Sequence, residues 1–242
     1  MEITKREIIF SVAIVCVMLI LGIVISDKIN DSLMDDFQEY NTALQIDNDA
    51  DLFQYGMRTN VGNAFVYGEL TAVDPVSYPA VSGEYTSMTK ETERYTMHTR
   101  TVTKTRTVNG KEETYTEIEE YWTWDTIYRE SKQVTTISFL GVEFPYGKIG
   151  GFYESHLDTI NTGYHLRDVY YGSPTSYVGT IYTSLGDNTI SKCSINANRT
   201  IDETIKIMES KASLVVFWIF WIILSAGCIY GFYYLDNKWL EG

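Results

Sequence analysis

The chain has 242 residues, 45% of them hydrophobic, three cysteines and a formal net charge of −13. That acidic balance argues against a nucleic-acid binder, because phosphate contacts need clustered cations. Cys16 and Cys228 lie in long apolar runs and only Cys193 lies between them, so an intradomain disulfide framework is excluded.

Residues 1–7 include Lys5 and Arg6. Ile8 to Ile25 then reads IIFSVAIVCVMLILGIVI, eighteen residues without a charge. A helix rises 1.5 Å per residue, so roughly 20 such residues cross ~30 Å of hydrocarbon. The run predicts a transmembrane helix over 8–26. A cleaved signal peptide is the alternative, but the exit VISDKIND offers no small-x-small cleavage site. The apolar spacing also continues: Ile29, Leu33, Phe37, Tyr40 and Leu44 recur at steps of 4, 4, 3 and 4. That stripe predicts a helical stalk over 27–54.

From there the period changes to two, with Tyr, Thr and Val prominent. A β-rich domain is expected over 55–195, with strands near 64–73, 84–107, 111–129, 134–144, 164–171 and 177–185. The parity of Ile137/Phe139 and Val142/Phe144 changes at Gly141, which predicts a bulge. GSPT, 172–175, reads as a hairpin loop. The stretch 27–213 holds 28 Asp+Glu and 16 Lys+Arg, a net charge of −12. Such a domain stays soluble and stands off an anionic bilayer.

Within it, 94–125 reads as one long hairpin. Asn109-Gly110 between two alternating runs suits a type I′ turn, which needs positive φ at both positions. A two-residue turn sets Val108 opposite Lys111, and all opposed residue numbers then sum to 219. Arg106 falls opposite Glu113, Arg100 opposite Glu119 and Arg94 opposite Asp125, while Lys104 has Glu113 and Glu117 as diagonals. A slip of one residue would separate these pairs. Tyr95, Met97, Trp122 and Trp124 share one face at the base, which is therefore expected to be embedded. The tip, 100–119, is polar on both faces and is expected to project. It is either a solvated excursion or an arm for recognition or self-assembly. In the second case Arg100, Lys104, Arg106, Asn109, Gly110, Glu113, Glu117 and Glu119 carry the interaction.

Thr200 and Glu203 have the spacing of a capping box, and Ile201, Ile205, Met208 and Ala212 form a stripe, predicting a juxtamembrane helix over 200–213. Leu214 to Tyr234 holds twenty-one residues without a charge and predicts a second span over 214–235, followed by a tail, 236–242. Two spans put both termini on one side. Lys5, Arg6 and Lys238 favour the cytoplasm for them, and hence the outside for the large domain. Gly227 and Gly231 form a GxxxG, a candidate for helix packing within the chain or between copies. Tyr230, Tyr233, Tyr234 and Trp239 suit an interfacial belt. Asn198-Arg199-Thr200 is a glycosylation sequon if the host is a eukaryotic secretory cell.

The chemical inventory points to no catalytic, cofactor or metal site. His98, His156 and His165 lack partners at ligand spacing. Asp47, Asp49 and Asp51 imitate a calcium loop, but Leu52 and Arg58 stand where Gly and Glu are needed. Cys193 has no base beside it. Glu154, His156 and Asp158 alternate, the one arrangement that admits an acid–base site.

The runs YGMRTNVGNAFVYGELTAVDPVSYP, YTMHTRTVTKTRTVNGK…YWTWD and FYYLDNKWLE resemble an uncharacterised family of two-span membrane proteins of Gram-positive bacteria and their phages or mobile elements. That resemblance implies a membrane location and no activity. GELTAV, YWTW and DVYYGSPTSYVGTIY are similar to stretches of the LUMA (transmembrane protein 43) family, whose members have more spans.

The expectation is thus an α+β membrane protein. Two antiparallel transmembrane helices with juxtamembrane extensions hold one β-rich domain with a projecting hairpin. The expected function is a non-enzymatic interaction or assembly module outside the membrane, its partners being the lipid bilayer and either itself or an envelope protein. The alternatives are a membrane-anchored envelope hydrolase and a mobile-element protein that alters envelope entry.

Overall fold

The structure, a computed structural model, describes residues 5–108 and 111–240, with side chains for 8–108 and 111–236. Asn109 and Gly110 lie outside the described residues, as do the side chains of Lys5, Arg6, Lys238 and Trp239.

The elements in chain order are α1 (Lys5–Thr42), β1 (Leu44–Asp47), α2 (Ala50–Thr59), β2 (Gly62–Ala72), β3 (Val76–Tyr78), β4 (Val81–Tyr85), β5 (Ser87–Val108), β6 (Lys111–Gln133), β7 (Thr136–Phe139) and β8 (Val142–Pro145). A 3-10 turn at Tyr146–Lys148 leads to β9 (Ile149–Gly150), β10 (Ser155–Gly163), β11 (Leu166–Ser173), β12 (Ser176–Gly186), β13 (Thr189–Ile190), β14 (Cys193–Ala197), α3 (Ile201–Met208) and α4 (Ala212–Leu240). They divide into two compact units, Gln45–Thr200 and the two chain ends, Met1–Leu44 with Ile201–Gly242.

In the unit made by the chain ends, α1 and α4 are long and apolar enough to cross a membrane, by length and composition. They run antiparallel. Phe10 lies 5.9 Å from Phe232, the Tyr233 hydroxyl 3.4 Å from Ser11 Oγ, and the Trp221 indole N–H donates to Met18 O at 2.9 Å. Gly22 makes this approach possible: a Cβ there would sit 2.6 Å from Trp221 Nε1. Most other apolar side chains of both helices are exposed, among them Ile9, Ile20, Val216 and Ile222. An apolar surface on all sides suits lipid rather than water, and the pair is compatible with a two-span membrane protein.

Two boundaries differ from the sequence reading. The stalk helix ends at Thr42, not at 54. Asn41 Nδ2 and Thr42 Oγ1 bond back to Phe37 O and Gln38 O, satisfying carbonyls at the helix end. Asn48 then takes a left-handed φ of 51°, and Asp49 caps a new helix by accepting from Leu52 N at 2.9 Å. The acidic run at 47–51 thus has a structural use. The last helix is also interrupted: α3 ends at Met208, and Ser210 Oγ accepts from Ala212 N at 3.3 Å as α4 begins.

Unit Gln45–Thr200 is wider than the expected 55–195 because Ile46 and Phe53 belong to its core. Its larger sheet has the order β8-β7-β2-β12-β14-β9, with β1 on β2 and β13 on β12. β2 and β12 each bury three consecutive residues, 64–66 and 179–181, as central strands do. Helix α2 buries Phe53, Gly56 and Met57. Phe53 meets Phe139 edge-on at 5.7 Å and Phe144 at 6.2 Å, and Gly56 lies so close to Leu185 that a Cβ would sit 2.8 Å from its Cδ1. The smaller sheet has the order β10-β11-β5-β6. Its satellite core is Tyr78, Met88 and Tyr170, partly covered by Val76, Val81 and Tyr85 of β3 and β4.

Two loops are corrected. Gly141 marks no bulge: Leu140 and Gly141 both have positive φ, 48° and 76°, and form the two-residue turn of the β7–β8 hairpin. GSPT is no hairpin loop, since β11 and β12 belong to different sheets. Its backbone ties those sheets together: Ser173 O accepts from Thr86 N, and Thr175 O accepts from Ala72 N.

Asp74 clamps the entry to β7. Its carboxylate accepts from Thr135 Oγ1 at 2.6 Å and from the N–H groups of Thr135 and Thr136 at 2.9 and 3.0 Å. The Thr135 hydroxyl first, then these N–H groups, hold its pKa down at about 2 from 3.8. A depressed pKa contributes stability that is present above 3.8 and lost as pH falls through about 2. Asp74→Asn is expected to flatten that part of the acid limb. Thermal midpoints of detergent-solubilised wild type and variant, taken from pH 5 to pH 2, should converge toward the acid end.

Candidate interaction surface

β5 and β6 are 22 and 23 residues long, against a usual three to ten. From Ser87 to Arg94, β5 lies between β11 and β6; beyond Arg94 the two strands continue with no third strand among the described residues. Partly buried charge pairs fasten the base to β11. Arg167 donates to Glu93 at 2.6 Å, Lys90 pairs with Asp168 at 2.9 Å, and Thr92 donates to Asp168 at 2.7 Å. Burial pushes the Asp168 carboxyl up, but the Lys90 and Thr92 bonds outweigh it and leave it below the ordinary range.

The register is the one expected from a turn at Asn109-Gly110. Val108 faces Lys111 and Glu93 faces Thr126, so opposed numbers sum to 219 over that whole length; a shift follows at Thr92. The candidate charges meet as a ladder on one face. Arg106 pairs with Glu113 at 3.3 Å and Arg100 with Glu119 at 3.0 Å. Lys104 turns toward the base, reaching Glu117 at 2.8 Å and Glu119 at 3.1 Å instead of Glu113, which Arg106 occupies. Glu117, then Glu119, raises the Lys104 pKa, and Lys104, then Arg100, lowers that of Glu119. Tyr115 and Tyr121 lie under Arg106 and Arg100 at 5.4 and 5.8 Å. These pairs are exposed, so each contributes little by itself, and the series stiffens the ribbon.

The opposite face is nearly uncharged. Its register positions carry Thr99, Thr101, Thr103, Thr105, Thr107, Thr114 and Thr116, with Ile118 and the aromatic base; Glu112 and Glu120 are its only charges above that base. The base is only partly embedded, contrary to expectation: Tyr95 and Trp124 are half-buried, while Met97 is 46% exposed and Trp122 50%. The β10–β11 turn closes on it from the side, where His165 has φ 55°. Tyr95 stacks on Trp122 at 5.2 Å, His165 meets both rings edge-on, Tyr164 stacks on His165 at 4.0 Å, and Arg167 sits 4.1 Å over Trp124. Tyr164 is 89% exposed. The sequence gives little sign of Tyr164, His165 and Arg167 at this place, since finding them requires the pairing of Leu166 with Arg94.

No protein-family profile, curated protein or solved structure matches the chain.

The other candidates have local uses. Glu154 accepts from Ser87 Oγ, His156 bonds Thr159 Oγ1, and Asp158 accepts from Thr159 N, so none of the three bonds another. His98 Nε2 lies 2.6 Å from Asp125 Oδ2, and Thr96 donates to the same carboxylate. The Thr96 hydroxyl also faces Nε2, so one nitrogen takes both contacts and cannot be oriented by Asp125 through the opposite side of the ring. Burial pushes the Cys193 thiol up to about 11, which makes it a poor nucleophile. Among the described residues no group of three His, Cys, Asp or Glu can hold a metal ion. A depression of about 360 Å³ lined by Gln54, Met57, Arg58 and Glu143 is open and lies away from these groups.

Gly227 and Gly231 lie away from the α1–α4 contact: a Cβ at either meets nothing within 4 Å. The small residue used within the chain is Gly22.

Proposed function

We propose that the chain is a non-enzymatic integral membrane protein. In this reading α1 and α4 cross the bilayer, both termini are cytoplasmic, and Gln45–Thr200 lies outside. The ribbon β5–β6 projects as a long hairpin and holds a protein partner, either another copy or an envelope protein. Lys5, Arg6 and Lys238 support the orientation. The resemblance to two-span proteins of Gram-positive bacteria and their mobile elements agrees with the location.

The observation that carries the reading is the ribbon beyond Arg94. A two-stranded ribbon without a core is marginal in water, and here it is held by ion pairs on one face. The other face leaves Trp122, Met97 and Tyr164 open to solvent. Trp, Tyr and Met are enriched where partners bind.

The test is a deletion of 101–117 closed by Gly-Gly. Full-length protein solubilised in mild detergent is expected to retain a partner, a differently tagged copy or an envelope protein, and the deletion variant to lose it at least about tenfold. Equal recovery from both would overturn the reading, provided that the variant still fractionates with membranes.

A further inference from the structure

We infer that the ribbon's partner is a second copy of this chain, joined edge to edge, with the β5 edge of one ribbon against the β6 edge of the next. This rests on the ribbon being an interaction arm and names what the arm holds.

Beyond Tyr95, whose N–H donates to His165 O at 3.0 Å, both edges are open among the described residues, so each presents a row of backbone N–H and C=O groups without a strand partner. The charge is divided by strand. Along its open stretch, Thr96 to Val108, β5 carries three cations, Arg100, Lys104 and Arg106, and no carboxylate. From Lys111 to Asp125, β6 carries six carboxylates and one cation. One edge is therefore basic and the other acidic.

That division decides between the possible arrangements. Two β5 edges would set cation against cation, and two β6 edges carboxylate against carboxylate; like charges opposed across strands are destabilising. Only β5 against β6 of the next copy alternates the signs. Glu113, Glu117 and Glu119 would then lie between their own cations and those of a neighbour. The neighbouring strands are antiparallel when the ribbons point the same way, so side-chain parity is kept and the threonine faces form one continuous surface. The contact is heterologous: each copy offers one edge and accepts the other, and the assembly closes as a ring or extends as a row.

The test uses full-length protein with Cys16, Cys193 and Cys228 replaced. One tagged copy carries Thr103→Cys. A second, differently tagged copy carries Thr114→Cys, Thr116→Cys or Ile118→Cys in turn, positions on the same face that allow for a shift of register by two residues. Membranes holding both copies are oxidised. The expected result is a disulfide between the two tags for at least one combination, several-fold above the level in membranes holding either variant alone. Cross-linking of Thr103→Cys to itself at the same level would overturn the proposal in favour of a symmetric dimer. Absence of any mixed product, in membranes where full-length copies still associate through 101–117, would also overturn it while leaving the interaction arm standing. Loss of that association altogether counts instead against the arm itself.

Discussion

Gly179→Ala is expected to destabilise the domain by about 3 kcal/mol, the upper part of the range for overpacked cores. Gly179 pairs with Gly68 of β2 and with Ala197 of β14. A Cβ there would stand 2.3 Å from Asn196 O and 2.9 Å from Ala197 Cα. These are backbone atoms of the neighbouring strand, so no rotamer change relieves the clash. β14 must move, and with it go the pairs Thr180–Asn196 and Ile181–Ile195 and the 2.7 Å bond from Asn198 N to Val178 O. Denaturation of the solubilised protein, followed through Trp122 and Trp124, measures the loss. Gly147→Ala is the control, because nothing lies within 4 Å of a Cβ there; its change should stay within about 0.5 kcal/mol. Equal stability of the two variants would contradict the packing of β14 on β12.

Gly22→Ile should loosen the helix pair by about 2 kcal/mol, combining overpacking with a lost hydrogen bond. Its Cβ alone would sit 2.6 Å from Trp221 Nε1, 2.9 Å from Cδ1 and 3.3 Å from Cη2 of Trp218. The indole is held by its bond to Met18 O at 2.9 Å. Pushing it aside breaks that bond, and in the proposed bilayer setting no water would replace the carbonyl. The midpoint of unfolding in a titration with sodium dodecyl sulfate should fall for Gly22→Ile and fall less for Gly22→Ala. It should not move for Gly227→Ile, whose site is open within the chain. A matching fall for Gly227→Ile would place the contact on the wrong face of α4.

The two apolar helices and the β-rich middle were legible because their signals are local. Eighteen and twenty-one residues without charge need no tertiary context, and period-two alternation marks strands wherever they pair. The register of β5 with β6 was legible for the same reason, since a two-residue turn fixes every opposed pair. What failed depended on distant partners. GSPT has the composition of a turn, but only the assignment of β11 and β12 to different sheets reveals it as a crossing. The base aromatics were expected to be embedded on the rule that Trp and Tyr seek cover; the cover that exists comes from Tyr164 and His165, forty residues further along the chain. GxxxG at Gly227 was read as packing within the chain or between copies; within the chain the ring that needs room, Trp221, faces Gly22 on the other helix. The ladder pairs Arg106–Glu113 and Arg100–Glu119 were legible, but opposition alone does not say which carboxylate Lys104 reaches, nor that Asp125, opposite Arg94, bonds Thr96 and His98.

The central claim is that two spans hold residues 45–200 outside the cytoplasm. Cys193 is unsuited to test it, because burial pushes its thiol up to about 11. Tyr153→Cys, in a chain whose three native cysteines are replaced, puts a thiol at a position 76% exposed and outside the aromatic cluster of the ribbon base. The measurement is labelling by a membrane-impermeant maleimide of intact cells or spheroplasts, compared with lysed ones. The account predicts equal labelling before and after lysis, in protein recovered with the membranes. Labelling that appears only after lysis would contradict it.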